Sequence, residues 1–161
     1  MRVFPRLYLV HERNPLLQSF YVIVIFGAYG FFVYVGYPRL PCAYMAWPHH
    51  KLVGAGVFAL CVGSWVAACT VSPGIVTAET VATFDRYPYD GIIFGPGGVC
   101  RTTGVRKIAR SKYCRYMRAN VARFDHFCPW LNQAVGERNY RVFLGFLLVH
   151  VALLAYGTVA A

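Results

Sequence analysis

Residues 16–37 read "LLQSFYVIVIFGAYGFFVYVGY" and contain no charged side chain. About 20 residues at about 1.5 Å each cross a hydrocarbon core of about 30 Å, so this run is long enough to span a bilayer. In lipid the backbone has to satisfy its own hydrogen bonds, which predicts a helix. Two further runs repeat the signal. Residues 52–71, "LVGAGVFALCVGSWVAACTV", are uncharged, and residues 142–161, "VFLGFLLVHVALLAYGTVAA", hold His150 but no Asp, Glu, Lys or Arg. The first run follows Arg2, Arg6 and Arg13, as a secretion signal does. It exceeds the apolar region of such signals, about 7–15 residues, and is read as a retained anchor.

Composition agrees. The 161 residues are 58% hydrophobic and 14% charged, with mean hydropathy +0.46, whereas a soluble domain sits nearer half apolar and a quarter charged. The expected fold class is an all-α polytopic membrane protein with three transmembrane helices and an irregular loop domain. The formal charge of +10 fits a face against anionic lipid and, in so apolar a chain, argues against a nucleic-acid partner.

Counting Lys and Arg orients the spans. The arm before the first span carries Arg2, Arg6 and Arg13, the connection after it Arg39 and Lys51, and the long connection has eleven, from Arg86 to Arg141. The positive-inside rule then places the arm (1–15) and the long loop (72–141) in the cytosol. The connection 38–51 is lumenal. The helices occupy 16–37, 52–71 and 142–161. Within the second helix Ala55, Ala59, Gly63 and Ala67 recur every four residues and suggest a seam for close helix approach. Cys61 and Cys69 read as small apolar side chains there, and Cys42, in the lumenal connection, has no evident partner.

Chemistry is expected in the long loop. Between Arg101 and Arg123 lie eight Lys or Arg and no acid. Such a stretch reads as a solvated face beside anionic headgroups or as a phosphate site, since guanidinium forks suit phosphate. The next residues, "RFDHFCPW" (123–130), set Asp125, His126 and Cys128 side by side. A thiol reacts as thiolate, and an adjacent base takes its proton. A carboxylate on the far ring nitrogen would fix the histidine tautomer. Consecutive side chains usually point apart, so the adjacency needs a backbone that brings them together.

The wider stretch 110–143, "RSKYCRYMRANVARFDHFCPWLNQAVGERNYRVF", resembles the cysteine-rich domain of the DHHC protein S-acyltransferases. "SPG" at 72–74 is similar to the family's D-P-G after the second span, and "CPW", Asn132 and "VGERN" are similar to its C-P-W-x-x-N-C-x-G-x-x-N. The resemblance covers about 72–145 well, with its core at 100–143. It implies a cytosolic, cysteine-rich-type loop domain between the second and third spans. It implies that Cys128 takes a fatty acyl group from acyl-CoA as a thioester, that His126 is its base, and that Asp125 orients His126. The acyl group, palmitate from palmitoyl-CoA, then passes to a cysteine of a cytosol-facing or juxtamembrane substrate protein. Arg110, Lys112 and Arg123 become candidates for the CoA phosphates, membrane lipid is a second partner, and Trp130 fits an interfacial anchor.

The family pattern C-x2-C-x9-H-C-x2-C-x2-C-x4-D-H-H-C-x5-C binds two zinc ions. Here every spacing is kept and most ligands are not. The first set keeps Cys100, with Thr103, Tyr113 and Asn120 at the other positions. The second keeps Cys114, with Met117, Phe127 and Ala134. A structural zinc takes four N or S ligands, so zinc is not expected and no cofactor is predicted beyond acyl-CoA as cosubstrate. Apolar packing at Tyr113, Met117 and Phe127 is expected to replace it. "DHFC" loses the second histidine and keeps His126. The family usually has four spans, so a chain ending at Ala161 reads as a fragment or an inactive remnant. "YPYDGIIF" is similar to a subgroup acting in the endoplasmic reticulum, and the location expected is endoplasmic reticulum or Golgi. The rival expectations are a catalytically inactive DHHC-like scaffold and, further off, a small channel subunit built around His150.

Overall fold

The computed structural model describes residues 2–4, 7–8, 15–39 and 49–160, with side chains over 15–38 and 51–158. Cys42 and most of the 1–15 arm and of the 38–51 connection lie outside the described residues. In chain order the elements are β1 (Arg2–Phe4), β2 (Leu7–Tyr8), α1 (Leu16–Phe31), α2 (His49–Thr70), β3 (Ile75–Val76), one helical turn at Val81–Phe84, β4 (Lys112–Cys114), β5 (Ala119–Val121), β6 (His126–Cys128), β7 (Gln133–Val135) and α3 (Tyr140–Ala160). A π-helical turn, Phe32–Gly36, prolongs α1.

Three helices are long and apolar enough to cross a membrane, over Leu16–Gly36, Lys51–Thr70 and Tyr140–Thr158. The all-α expectation needs correction. The loop between α2 and α3 is not wholly irregular: it holds an antiparallel sheet in the order β3-β5-β4 and the hairpin β6–β7. These strands are two or three residues long, too short for a period-two pattern to register in the sequence.

The small-residue stripe also moves. Ala55, Ala59 and Gly63 are exposed, while Gly54, Cys61 and Ala68 are buried. The seam therefore recurs every seven residues, the spacing at which side chains return to one helix face. Cys61 Sγ reaches the Val149 carbonyl of α3 at 3.8 Å. Helix α1 is held largely by rings: Tyr21 stacks on Trp65 (5.0 Å between centroids), and Phe58 meets Phe26 edge-on (5.1 Å) and Tyr29 face-on (4.0 Å). His150 Nδ1 donates to the Phe146 carbonyl, which leaves Nε2 to accept from the Tyr21 hydroxyl. His150 thus ties α3 to α1.

Two sequence motifs clamp the loop onto the helices. Pro73, which lacks an N–H, lies just past the end of α2. Gly74 follows at φ 95°, and a Cβ there would stand 3.2 Å from the Phe84 ring. The Gly74 carbonyl accepts from Ala122 N–H (2.8 Å), the Ala122 carbonyl from Glu137 N–H (3.0 Å), and the Pro73 carbonyl from Arg138 N–H (3.2 Å). "SPG" and "VGERN" thus meet around Ala122. Gly136 sits where a Cβ would lie 2.5 Å from Val121 Cγ1 and 2.6 Å from the Pro73 carbonyl. Asn139 closes the turn by accepting from Gly136 N–H (2.8 Å) and donating to the Ala134 carbonyl (3.0 Å). Buried Gln133 donates to the Ala68 and Val71 carbonyls, satisfying orphan acceptors at the end of α2.

Candidate active site

Strand β6 brings His126 and Cys128 together. Side chains alternate along a strand, so these two share a face and Phe127 takes the other. In the hairpin His126 pairs with Val135, Phe127 with Ala134 and Cys128 with Gln133. The connection closes by Leu131 N–H to the Cys128 carbonyl (3.2 Å) and Asn132 N–H to the Pro129 carbonyl (3.1 Å). Asn132 has φ 53°, and asparagine is the non-glycine residue that tolerates this conformation best.

His126 Nδ1 donates to Asp125 Oδ2 at 3.0 Å. The ring's Nε2 then carries the free lone pair, the acceptor a neighbouring thiol proton needs. Phe143 meets the His126 ring edge-on at 5.2 Å. Cys128 is 7% exposed and belongs to a cluster with Ala68, Leu131, Val135 and Phe146. Its thiol borders a cavity of about 450 Å³ walled by Phe20, Tyr21, Val24, Trp130, Phe143, Phe146 and Leu147. The walls come from α1, α3 and the "CPW" turn, and every one is apolar or aromatic. Trp65 donates from Nε1 to the Trp130 carbonyl at 3.2 Å, which holds that turn on α2. Sequence reasoning reached Asp125, His126, Cys128 and Trp130. It missed Phe20, Tyr21, Val24, Phe143, Phe146 and Leu147, because an aromatic in a membrane helix carries no mark of the face it will present.

The basic stretch folds around a second, larger cavity of about 830 Å³. Arg110, Lys112 and Arg123 line it as a group, and Arg101 and Lys107, which the sequence did not single out, join them. Rings position three of these cations: Arg110 lies over Tyr87 (5.2 Å), Lys112 over Phe124 (5.4 Å) and Arg123 over Tyr140 (5.6 Å). Among the described residues none of the five has a carboxylate partner, whereas Arg106 is paired with Asp85.

The two sets of family zinc positions remain clustered but have changed chemistry. In the first, Asn120 Nδ2 donates to Thr103 Oγ1 at 2.6 Å, and Tyr113 pairs with Asn120 across the β4–β5 ladder. Burial pushes the Cys100 thiol up, but hydrogen bonds from Thr103, Thr102 and Asn120 outweigh it and bring it down to about 7. In the second, Cys114, Met117 and Ala134 are buried together with Phe127 against them. Tyr116 stacks on Phe127 at 4.6 Å, and Met117 Sδ accepts from Ala134 N–H at 3.2 Å. One thiol per set does not fit a four-coordinate zinc. Among the described residues no group of three His, Cys, Asp or Glu is placed to hold a metal. A polar knot and an apolar cluster occupy the two positions.

Comparison with known proteins points to a family. Residues 93–161 match the family model described as DHHC palmitoyltransferase. The chain is 34% identical over 152 residues to palmitoyltransferase AKR1 of Yarrowia lipolytica, covering 91% of this chain and 21% of that protein. It is 34% identical over 149 residues to palmitoyltransferase swf1 of Schizosaccharomyces pombe, covering 91% and 40%. To palmitoyltransferase ZDHHC4 of Rattus norvegicus it is 31% identical over 153 residues, covering 89% and 42%. The chain spans less than half the length of each of these relatives. Residues 93–161 are thus similar to the DHHC palmitoyltransferase family.

Proposed function

We propose that this chain forms the catalytic part of a protein S-palmitoyltransferase, with Cys128 as the acyl carrier. The observation that carries the reading is the position of Cys128. Its thiol borders the apolar cavity between α1 and α3 and shares a strand face with the Asp125-oriented His126. His126 Nε2 takes the thiol proton, and the thiolate attacks the acyl-CoA carbonyl. The C–S bond to CoA breaks, and the proton passes to the departing CoA sulfur. The acyl chain lies in the apolar cavity. A substrate cysteine, its own proton taken by His126, then attacks the acyl-Cys128 carbonyl and restores the Cys128 thiol.

Arg110, Lys112 and Arg123 face the CoA phosphates, where among the described residues no carboxylate is paired with them. The loop 72–141 is cytosolic, supported by its excess of Lys and Arg, and the membrane is that of the endoplasmic reticulum or Golgi. The domain works without the family's zinc ions, its hairpins held by the Asn120–Thr103 bond and the Met117–Phe127 contacts instead.

A second reading, an inactive DHHC-like scaffold or fragment, draws on the two depleted ligand sets. Thioester labelling separates the two. The chain is expressed in membranes with a clickable palmitate analogue and compared with Cys128→Ser and His126→Ala. Hydroxylamine-sensitive label on the wild type that both substitutions abolish is the expected result. A folded, inserted wild type without label would leave the scaffold reading standing.

A further inference from the structure

We infer that residues 90–107 form a second attachment to the membrane. The tip, Ile92 and Ile93, enters the headgroup–acyl boundary, and Arg101 and Lys107 hold the phosphate of an anionic phospholipid.

The tip is built to stand out of the protein. Asp90 Oδ1 accepts from the N–H groups of Ile92 (2.9 Å), Ile93 (3.0 Å) and Phe94 (2.8 Å), and Gly91 N–H donates to the Phe94 carbonyl at 3.2 Å. With those donors satisfied inside the loop, the backbone loses little on leaving water. The same bonds turn Ile92 and Ile93 outward, at 90% and 73% exposure. Two adjacent isoleucines so exposed on an ordered turn mark a contact surface.

The cations stand beside the tip. Gly98 N–H bonds to the Gly95 carbonyl and Lys107 N–H to the Gly98 carbonyl, and Val99 pairs with Arg106. The hairpin carrying Arg101 and Lys107 is thereby coupled to the turn that follows the tip. Ile93 and Phe94 lie at the edge of the 830 Å³ cavity, whose lining carries five cations and, among the described residues, no acid.

Depth decides the partner. Arg123, on the same cavity, lies over the ring of Tyr140, the first residue of α3. The cavity is thus joined to the level at which that helix begins. CoA phosphates on Arg110, Lys112 and Arg123 leave Arg101, Lys107 and the outward isoleucines beside them unexplained. A phospholipid accounts for both, because its phosphate lies beside its acyl chains.

The test uses the full chain in phosphatidylcholine liposomes with and without phosphatidylserine, with p-benzoylphenylalanine in place of Ile92. Illumination is expected to give lipid adducts at position 92, several-fold more with phosphatidylserine, and none when the photoprobe replaces exposed Ala78. Arg101→Glu with Lys107→Glu is expected to remove that several-fold gain while the gel-filtration profile is kept. Excess coenzyme A in the aqueous phase is expected to leave the adducts in place. The inference is overturned by adducts to protein alone, by equal yields in the two lipid mixtures, or by displacement with coenzyme A.

Discussion

Phe127 shows how one position separates two jobs that adjacent letters conceal. Its neighbours on either side, His126 and Cys128, face the apolar cavity side of β6, while Phe127 turns to Tyr116 and the Met117 cluster. A histidine returned there, Phe127→His, meets the Cys114, Met117 and Ala134 cluster, in which Cys114 is the one remaining thiol of its set. It is expected to cost about 1–3 kcal/mol as a poorly satisfied polar group and to gain no zinc, as thermal unfolding and metal analysis will read. Asp125 accepts from the His126 ring. Asp125→Asn leaves Cys128 intact but loses the carboxylate that fixes the His126 tautomer, so the rate of Cys128 acylation is expected to fall by about 10²-fold or more, with the same final labelling site. Asp90 gives a pH signature. The N–H of Phe94, then that of Ile92, hold its carboxyl below the ordinary 3.8. A carboxyl with a lowered folded-state value contributes order that is complete above 3.8 and is lost as pH falls through the lower value. Amide protection at 92–94 is expected to persist at neutral pH, to fade on acidification below 3.8, and to lose this dependence in Asp90→Asn.

At the scale of elements, the hairpin β6–β7 and the end of α2 form one unit. Gly136→Ala places a Cβ against Val121 Cγ1 and two backbone carbonyls, those of Pro73 and Ala122. Backbone on two sides cannot yield as a flexible side chain does, so a loss of about 1–3 kcal/mol or more is expected. Met117→Ala tests the apolar cluster at the second set of family zinc positions. It opens a void among Cys114, Val121 and Ala134 and is expected to cost about 2–5 kcal/mol. Both are read by thermal unfolding in detergent. If Gly136→Ala proves as stable as the wild type, the close docking of "VGERN" on "SPG" is wrong.

At the scale of the whole molecule, the loop domain and the helices share one cluster, in which Cys128, Leu131 and Val135 meet Ala68 of α2 and Phe146 of α3. Because hydrogen bonds and apolar contacts hold the loop, a strong chelator is expected to leave the unfolding temperature unchanged. A drop, or stoichiometric zinc in the purified protein, sinks that account. The three long helices were legible in the sequence because a charge-free run of that length has no comfortable home but lipid. The adjacency of Asp125, His126 and Cys128, in a spacing like the family's, was legible in the sequence, and their catalytic roles are proposed. Which side of each helix would face its neighbour was not. The stripe from Ala55 to Ala67 looked like the seam, but Gly54, Cys61 and Ala68 form it. Apolarity is nearly uniform around such a helix, so its own sequence does not say where its partner will lie. The sequence by itself determined the spans and set Asp125, His126 and Cys128 side by side, whereas only the tertiary structure decided that rings from α1 and α3 would wall a cavity beside Cys128, that five cations scattered from 101 to 123 would share another, and that strands of two or three residues would order the loop, since each of these rests on contacts between segments far apart in the chain.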